Sequence, residues 1–278
     1  MAAEAGRITI SIIGAGNVAT HLAPALAQVA EVRQVVSRHI ESADAIASKI
    51  DGCTPEASLS GLLPDSHLYI ITANDDAIGR IAADTPDYPG LWVHTSGSVG
   101  MDVFDGLKTR HGSLYPLQTF SKNIAVDLSR VPFLLEATSE QDVAMMERLL
   151  SGISRQVRRV DSNTRAALHV AAVFACNFAN QMWAEADRLL RDRGLDITYL
   201  LPLLEATLGK LTVASPRDAM TGPGRRGDID VINRHLATLP DDMRPVYATV
   251  TRRILREYHP GLESHLLTEL PENEQNRI

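Results

Sequence analysis

Apolar runs of strand length alternate with segments of helical spacing through the first 160 residues. Residues 7–13 are rich in Ile and predict a strand. Residues 18–29 follow with Leu22, Leu26 and Val29 on one helical face. The pattern repeats: strand 32–37, helix 40–50, strand 68–73, short helix 77–83, strand 91–94, then strand 132–136, helix 141–150 and strand 156–160. Alternation of this kind predicts a parallel sheet with helices on both faces. Strands covered on both sides read as apolar runs rather than as a two-residue alternation.

After residue 160 the strand pattern stops. Residues 163–193 contain no Pro or Gly. Asp161 or Ser162 can cap the start of a helix there by accepting a free backbone N–H, and Gly194 can close its end. A helix of about 30 residues would be roughly 45 Å long. Further helices are predicted at 198–211, 229–239 and 244–258, with a polar, frayed tail at 270–278. These features divide the chain into an α/β domain, 1–160, and an all-helical domain, 161–278. Residues 166–184 are apolar on nearly every helical face, which predicts a buried helix. One small helical layer could hardly cover it on all sides, so a homodimer through the helical domain is expected.

The first strand runs into Gly14-Ala15-Gly16-Asn17-Val18-Ala19. This fits G-x-G-x-x-G/A in the strand–turn–helix setting that the motif requires. Gly14 permits the tight turn, Gly16 leaves room for a pyrophosphate against the backbone, and Ala19 lets helix and strand pack closely. The anion would meet free N–H groups at the positive end of the helix dipole. A purely structural glycine turn is the plain alternative. An S-adenosylmethionine site is disfavoured because no third glycine lies two residues beyond Gly16. NAD binders place Asp or Glu on the ribose about 20 residues beyond the turn. Here the second strand ends in Ser37-Arg38-His39. Ser37 can donate to a 2′-phosphate and Arg38 can pair with it, so NADP is the expected cofactor. An exposed surface arginine is the alternative.

Composition narrows the partners. The 278 residues carry 27 Lys+Arg against 34 Asp+Glu, a formal charge of −7. No cationic excess is available for phosphate backbones, so no nucleic acid is expected. The apolar stretch around 166–183 is broken by His169, Asn177, Asn180 and Gln181, so no membrane span and no membrane partner are expected. Two cysteines cannot build a disulfide framework, and no Cys/His cluster suggests a metal. The expected setting is therefore a reducing one, the cytoplasm.

Several segments together resemble a known family. They are Gly14–Ala19, Val35-Val-Ser-Arg38, residues 71–78 (Ile-Thr-Ala-Asn-Asp-Asp-Ala-Ile), His94-Thr-Ser-Gly-Ser98 and Tyr115-Pro-Leu-Gln-Thr-Phe120. The helical run from Leu168 to Asn180 and Thr221-Gly-Pro-Gly-Arg-Arg-Gly-Asp228 complete the set. The chain resembles Rossmann-like proteins with a DUF2520 C-terminal domain over about residues 8–260. It is more distantly similar to pyrroline-5-carboxylate reductase and the 6-phosphogluconate dehydrogenase superfamily. The resemblance implies a doubly wound Rossmann domain and an all-helical domain of the 6-phosphogluconate dehydrogenase C-terminal type that dimerises. It implies an NADP-dependent oxidoreductase and supplies no substrate.

Candidate chemistry follows from placement. Asn74 and Ser96 follow strands, where open α/β sheets bind ligands, and would orient the nicotinamide; loop capping is the alternative. On the long helix, His169 and Asn180 fall within about 20° of each other at 100° per residue, with Asn177 about 80° away. Related reductases often carry a Lys and an Asn four residues apart on this helix. Here Val173 lies four after His169, and the helix has no Lys. The proton donor or acceptor would then be His169, with Arg165 one turn earlier lowering its pKa or holding an anion. Asn177, Asn180 and Arg226 would position substrate; core amides and a helix-connecting turn capped by Asp228 are the alternatives. The expected reaction is hydride transfer between NADP(H) and a small, anionic substrate. A non-catalytic NADP-binding sensor and a flavin- or deazaflavin-linked NADP reductase are the other functions the sequence allows.

Overall fold

The structure is a computed structural model that describes residues 7–266. The polar tail at 270–278 lies outside the described residues. Two compact units are present, residues 1–178 and 179–278. The change from mixed to helical structure comes at Asp161, so the first 17 residues after that boundary group with the sheet.

The first unit is built on one eight-stranded sheet. The strands are β1 (Thr9–Ile13), β2 (Glu31–Val36), β3 (Thr54–Glu56), β4 (Leu68–Ile71), β5 (Leu91–His94), β6 (His111–Pro116), β7 (Phe133–Ala137) and β8 (Val157–Arg159). Their order is β3-β2-β1-β4-β5-β6-β7-β8, parallel except where β6 meets β7. The strand order reverses at β1: the chain winds outward first through β2 and β3, then through β4 and beyond. This reversal opens a crevice beyond the carboxyl ends of β1 and β4. The helices are α1 (Asn17–Val29), α2 (Ile40–Ala47), α3 (Asp75–Asp84), α4 (Glu140–Ser151) and α5 (Ser162–Ala172). One core joins α1 and α4 to one sheet face through Leu22, Leu26, Met146 and Leu150; a second packs Ile78 and Ala82 of α3 with Tyr69, Trp92 and Phe104.

Two strands were not predicted. β3 is three residues long. β6 carries His111, Gly112 and Ser113, so it lacks an apolar run although all six of its residues are buried. Its polar groups have partners, one local and one distant: His111 Nδ1 lies 2.7 Å from the Lys108 carbonyl, and the Ser113 hydroxyl accepts from Arg165 at 2.6 Å.

The long helix starts as expected, with the Asp161 carboxylate accepting the Thr164 N–H at 2.6 Å, and it ends at Gly194, whose φ is +71°. It is not one uniform α-helix. A π-helical turn occupies Val173–Phe178, and α6 (Ala179–Arg191) follows in the second unit. An i→i+5 turn advances fewer degrees per residue than an α-turn, so the angles read at 100° per residue do not carry past Val173. Nor is this run buried by the chain itself: Val170, Phe174 and Phe178 are 55%, 67% and 50% exposed.

The second unit also contains α7 (Leu201–Lys210), α8 (Pro223–Arg226), α9 (Ile229–Thr238) and α10 (Arg244–Tyr258). Its core gathers Ile232, Leu236, Ala248, Leu255 and Leu266. Among the described residues, no helix is long and apolar enough to cross a membrane.

Candidate active site

A cavity of about 600 Å³ lies in the crevice at the strand reversal. One wall is the first turn, Gly14, Ala15 and Gly16; Asn17 and Val18 follow as the first residues of α1. Gly14 has φ +117°, and a Cβ there would fall 2.6 Å from the Thr72 hydroxyl, so only glycine fits both the backbone and the space. At Gly16 a Cβ would meet only the Thr72 carbonyl, at 3.9 Å. That open side faces the cavity and gives an approaching anion access to the backbone. Gly16 caps α1 with no side-chain hydrogen bond, and no acid stands in the first turn. The leading N–H groups of α1 are therefore free to meet a negative group. Ala19 is fully buried, as close helix–strand packing needs.

A second wall is Ser37, Arg38 and His39 after β2, with Ser42 on α2. The Ser37 hydroxyl accepts the His39 N–H at 3.3 Å and keeps its own proton for a ligand. Arg38 is exposed to the cavity and has no ion-pair partner among the described residues. The third wall is Thr72, Ala73 and Asn74 after β4, continued by Ala77, Arg80, Ile81 and Asp84 of α3. Asn74 is the N-cap of α3 but makes no side-chain capping bond, which leaves its amide free. Arg80 and Lys122 also line the cavity, and the sequence did not single out either. This donor set suits a dinucleotide with an additional phosphate: backbone amides for a diphosphate, and a hydroxyl with a guanidinium at the end of β2.

A second group of polar side chains gathers after β5. The Ser96 hydroxyl accepts the N–H groups of Ser98 and Val99, each at 3.1 Å, and the Ser98 hydroxyl donates to Asp75. Ser96 thus shapes its own loop, and its hydroxyl oxygen is 3.3 Å from that of Ser98, to which it can donate its remaining proton. The loop packs on a pair absent from the expected set as a pair: the Tyr115 hydroxyl is 3.1 Å from His169 Nδ1, with the rings edge-on. A Cβ at Gly97 would lie 2.7 Å from both His169 Nδ1 and the Tyr115 ring, so this glycine is what lets the loop reach them. Burial pushes the Tyr115 phenol above its usual range, against the lowering effect of Arg165, so it is a protonated donor at neutral pH.

Arg165 is fully buried and is not open to a ligand. It donates to Glu136 at 2.7 Å, to Ser113, to the Val99 carbonyl at 2.7 Å and to Ser162. The expectation that it could hold an anion is therefore corrected: the guanidinium is fully buried within the chain, in an ion pair and three hydrogen bonds, and its Nε is buried without a partner among the described residues. Instead it ties the 96–99 loop to β6, β7 and α5. Asn177 and Asn180 are both exposed. Arg226 is exposed and pairs with its neighbour Asp228 at 2.7 Å.

The fold and this crevice define a Rossmann-type nucleotide-binding protein with a helical second unit. Residues 131–254 match the family model described as "Domain of unknown function (DUF2520)". The crystal structure of the "putative NADP oxidoreductase BF3122" from Bacteroides fragilis is 39% identical, covering 89% of this chain and 98% of that one, with a TM-score of 0.82. The chain belongs to this family of Rossmann-like, DUF2520-containing proteins. At lower identity, similar folds are a reductive aminase from Aspergillus terreus in complex with NADPH and ethyl levulinate (16% identity, 91% of this chain and 87% of that one, TM-score 0.61). Another is 1-pyrroline-5-carboxylate reductase from Streptococcus pyogenes (12% identity, 92% and 98%, TM-score 0.63). No curated protein matches the chain.

Proposed function

We propose that the protein is an NADP(H)-dependent oxidoreductase that transfers a hydride between the cofactor and a small substrate. The observation that carries this reading is the single cavity joining the uncapped start of α1 to Ser37 and Arg38 at the end of β2, where no carboxylate stands. The 39% identity to a protein described as an NADP oxidoreductase supports it, as do NADPH complexes among proteins of the same fold. The bound cofactor supplies the hydride. The chain's residues do the rest. Amides of the first turn hold the pyrophosphate, Arg38 and Ser37 take the 2′-phosphate, and Asn74 orients the nicotinamide half, a role that Ser96 could share only by giving up its hydrogen bond to Ser98. Tyr115 and His169 share one proton across 3.1 Å and can pass it to a substrate heteroatom as charge develops there. Arg226 would take an anionic substrate only by exchanging its bond to Asp228.

The exposed apolar run through Val170, Phe174 and Phe178 supports a homodimer in which a second copy covers it. Two free cysteines suit a cytoplasmic setting.

Calorimetric titration with NADPH and NADH tests the reading. Arg38→Asp should weaken NADPH at least about tenfold and NADH little, because a carboxylate repels only the additional phosphate. Equal weakening of both would remove the 2′-phosphate assignment, and wild-type protein that binds neither dinucleotide would end the proposal. Loss of NADPH absorbance across a panel of keto acids, imines and aldehydes, abolished in His169→Ala, separates an enzyme from a sensor that binds without turnover. Mixing NADP with reduced flavin or deazaflavin tests the third function.

A further inference from the structure

β6 and β7 are antiparallel neighbours, a pairing that a turn of two to five residues can close. Here the connection runs from Leu117 to Pro132. Its outer part is fastened to α1: the Phe120 ring stands 5.3 Å from the His21 ring, and His21 Nε2 is 2.9 Å from the Ser121 carbonyl oxygen. Its returning part packs Val126 and Leu128 against the core that contains Leu22 and Leu26 of α1. The strap is thus held at both ends of its excursion, against the helix that follows the Gly14–Gly16 cavity wall.

The next residue after the Ser121 anchor is Lys122, which lines the same cavity as Gly14, Ala15 and Gly16. No carboxylate lies within ion-pair distance of it among the described residues. A pyrophosphate brings two negative charges to this end of the cavity. The first turn of α1, Asn17 to Thr20, answers with amides and a dipole but no full positive charge. Arg38 is at the end of β2, where the 2′-phosphate is assigned above. Arg80 also lines the cavity, from α3 after β4 rather than from the strap.

We propose that Lys122 is the cation that neutralises the pyrophosphate of the bound dinucleotide, and that His21 positions it by anchoring the strap at Phe120 and Ser121. This rests on the cofactor assignment above and adds to it a contact from outside the βαβ motif. Pyrophosphate is common to NADPH and NADH, whereas the 2′-phosphate is not, and this difference makes the assignment testable.

The experiment is titration of wild type, Lys122→Ala, Lys122→Arg, His21→Ala and the double variant His21→Ala/Lys122→Ala with NADPH and with NADH. Melting temperature serves as the check on folding. Lys122→Ala should weaken both dinucleotides by the same factor, about fivefold for one partly exposed charged contact. It should also flatten the dependence of affinity on salt, while Lys122→Arg stays close to wild type. His21→Ala should weaken both less than Lys122→Ala does, and the double variant should be no weaker than Lys122→Ala alone. Unchanged affinity in Lys122→Ala while wild type binds would overturn this inference and leave the cofactor assignment standing. A loss confined to NADPH would overturn it too, by moving Lys122 to the 2′-phosphate. Wild type that binds neither dinucleotide would remove both.

Discussion

His94 ends β5 and is fully buried, with its Nδ1 accepting the Ser96 N–H at 3.2 Å and its ring 5.7 Å from that of Phe104. Its Nε2 has no hydrogen-bond partner among the described residues. Burial, and then the nearby Arg165 guanidinium, push its pKa down from 6.5 to about 4. As pH falls through 6.5 the unfolded chain takes up a proton that the folded chain refuses until near pH 4. The unfolded state therefore binds more protons in that window, and stability falls with pH there. With 1.36 kcal/mol per pH unit, the loss between pH 7 and pH 4.5 is about 2.4 kcal/mol for this one residue. Gln can replace the ring as an acceptor for Ser96 and does not titrate. Urea unfolding of the first unit, followed at the buried Trp92 in a Trp183→Phe background, should show His94→Gln losing about 2 to 3 kcal/mol less than the otherwise identical His94 protein between those pH values. Carboxylate titrations occur in both proteins and cancel in the difference. Parallel stability curves would refute the reasoning, because they would mean that His94 is charged as readily in the fold as in water.

Two further outcomes follow from the same geometry. Gly97→Ala puts a methyl group 2.7 Å from both His169 Nδ1 and the Tyr115 ring, so it should cost about 1–3 kcal/mol in urea unfolding; a variant as stable as wild type would show that the loop yields freely. Phe174 is 67% exposed and stands edge-on to Phe178 at 5.0 Å; sedimentation should show wild type as a dimer and Phe174→Glu shifted toward monomer, while a monomeric wild type would remove the interface.

The sheet and the nucleotide crevice were legible where local chemistry alone decides structure. Apolar runs marked β1, β2, β4 and β5, and two glycines marked the first turn, because a positive φ and a close backbone approach leave a local trace. Arg38 was legible because its position is counted from that turn. β6 was not, since Ser113 looks exposed until Arg165, 52 residues away, satisfies it, and His111 looks exposed although the Lys108 carbonyl of the preceding turn partners it. Tyr115 was noticed without a role for the same reason: its partner is 54 residues away. The Ser-Gly-Ser of 96–98 was the available signal, a glycine between two capping hydroxyls at a strand end, where a side chain would have met something. Lys122 had no such signal, because only the anchoring of the strap on His21 carries it to the cavity.

The long helix points to a different boundary of local reasoning. The composition of this run predicts a covered helix, with a second copy supplying what one helical layer cannot. The chain itself leaves Val170, Phe174 and Phe178 open, while burying Arg165 one turn before His169. Hydrophobicity records that a surface is covered in the working molecule, and it does not record by what. At Arg165 the covering is the chain's own sheet, paired by Glu136. At Phe174 the chain provides none. On one continuous helical run, the buried charge then marks where the fold is closed by its own strands, and the exposed rings mark the face on which the proposed second copy would sit. The Tyr115–His169 pair sits one turn from that transition, so assembly of a second copy on the rings would change the surroundings of the proposed proton donor.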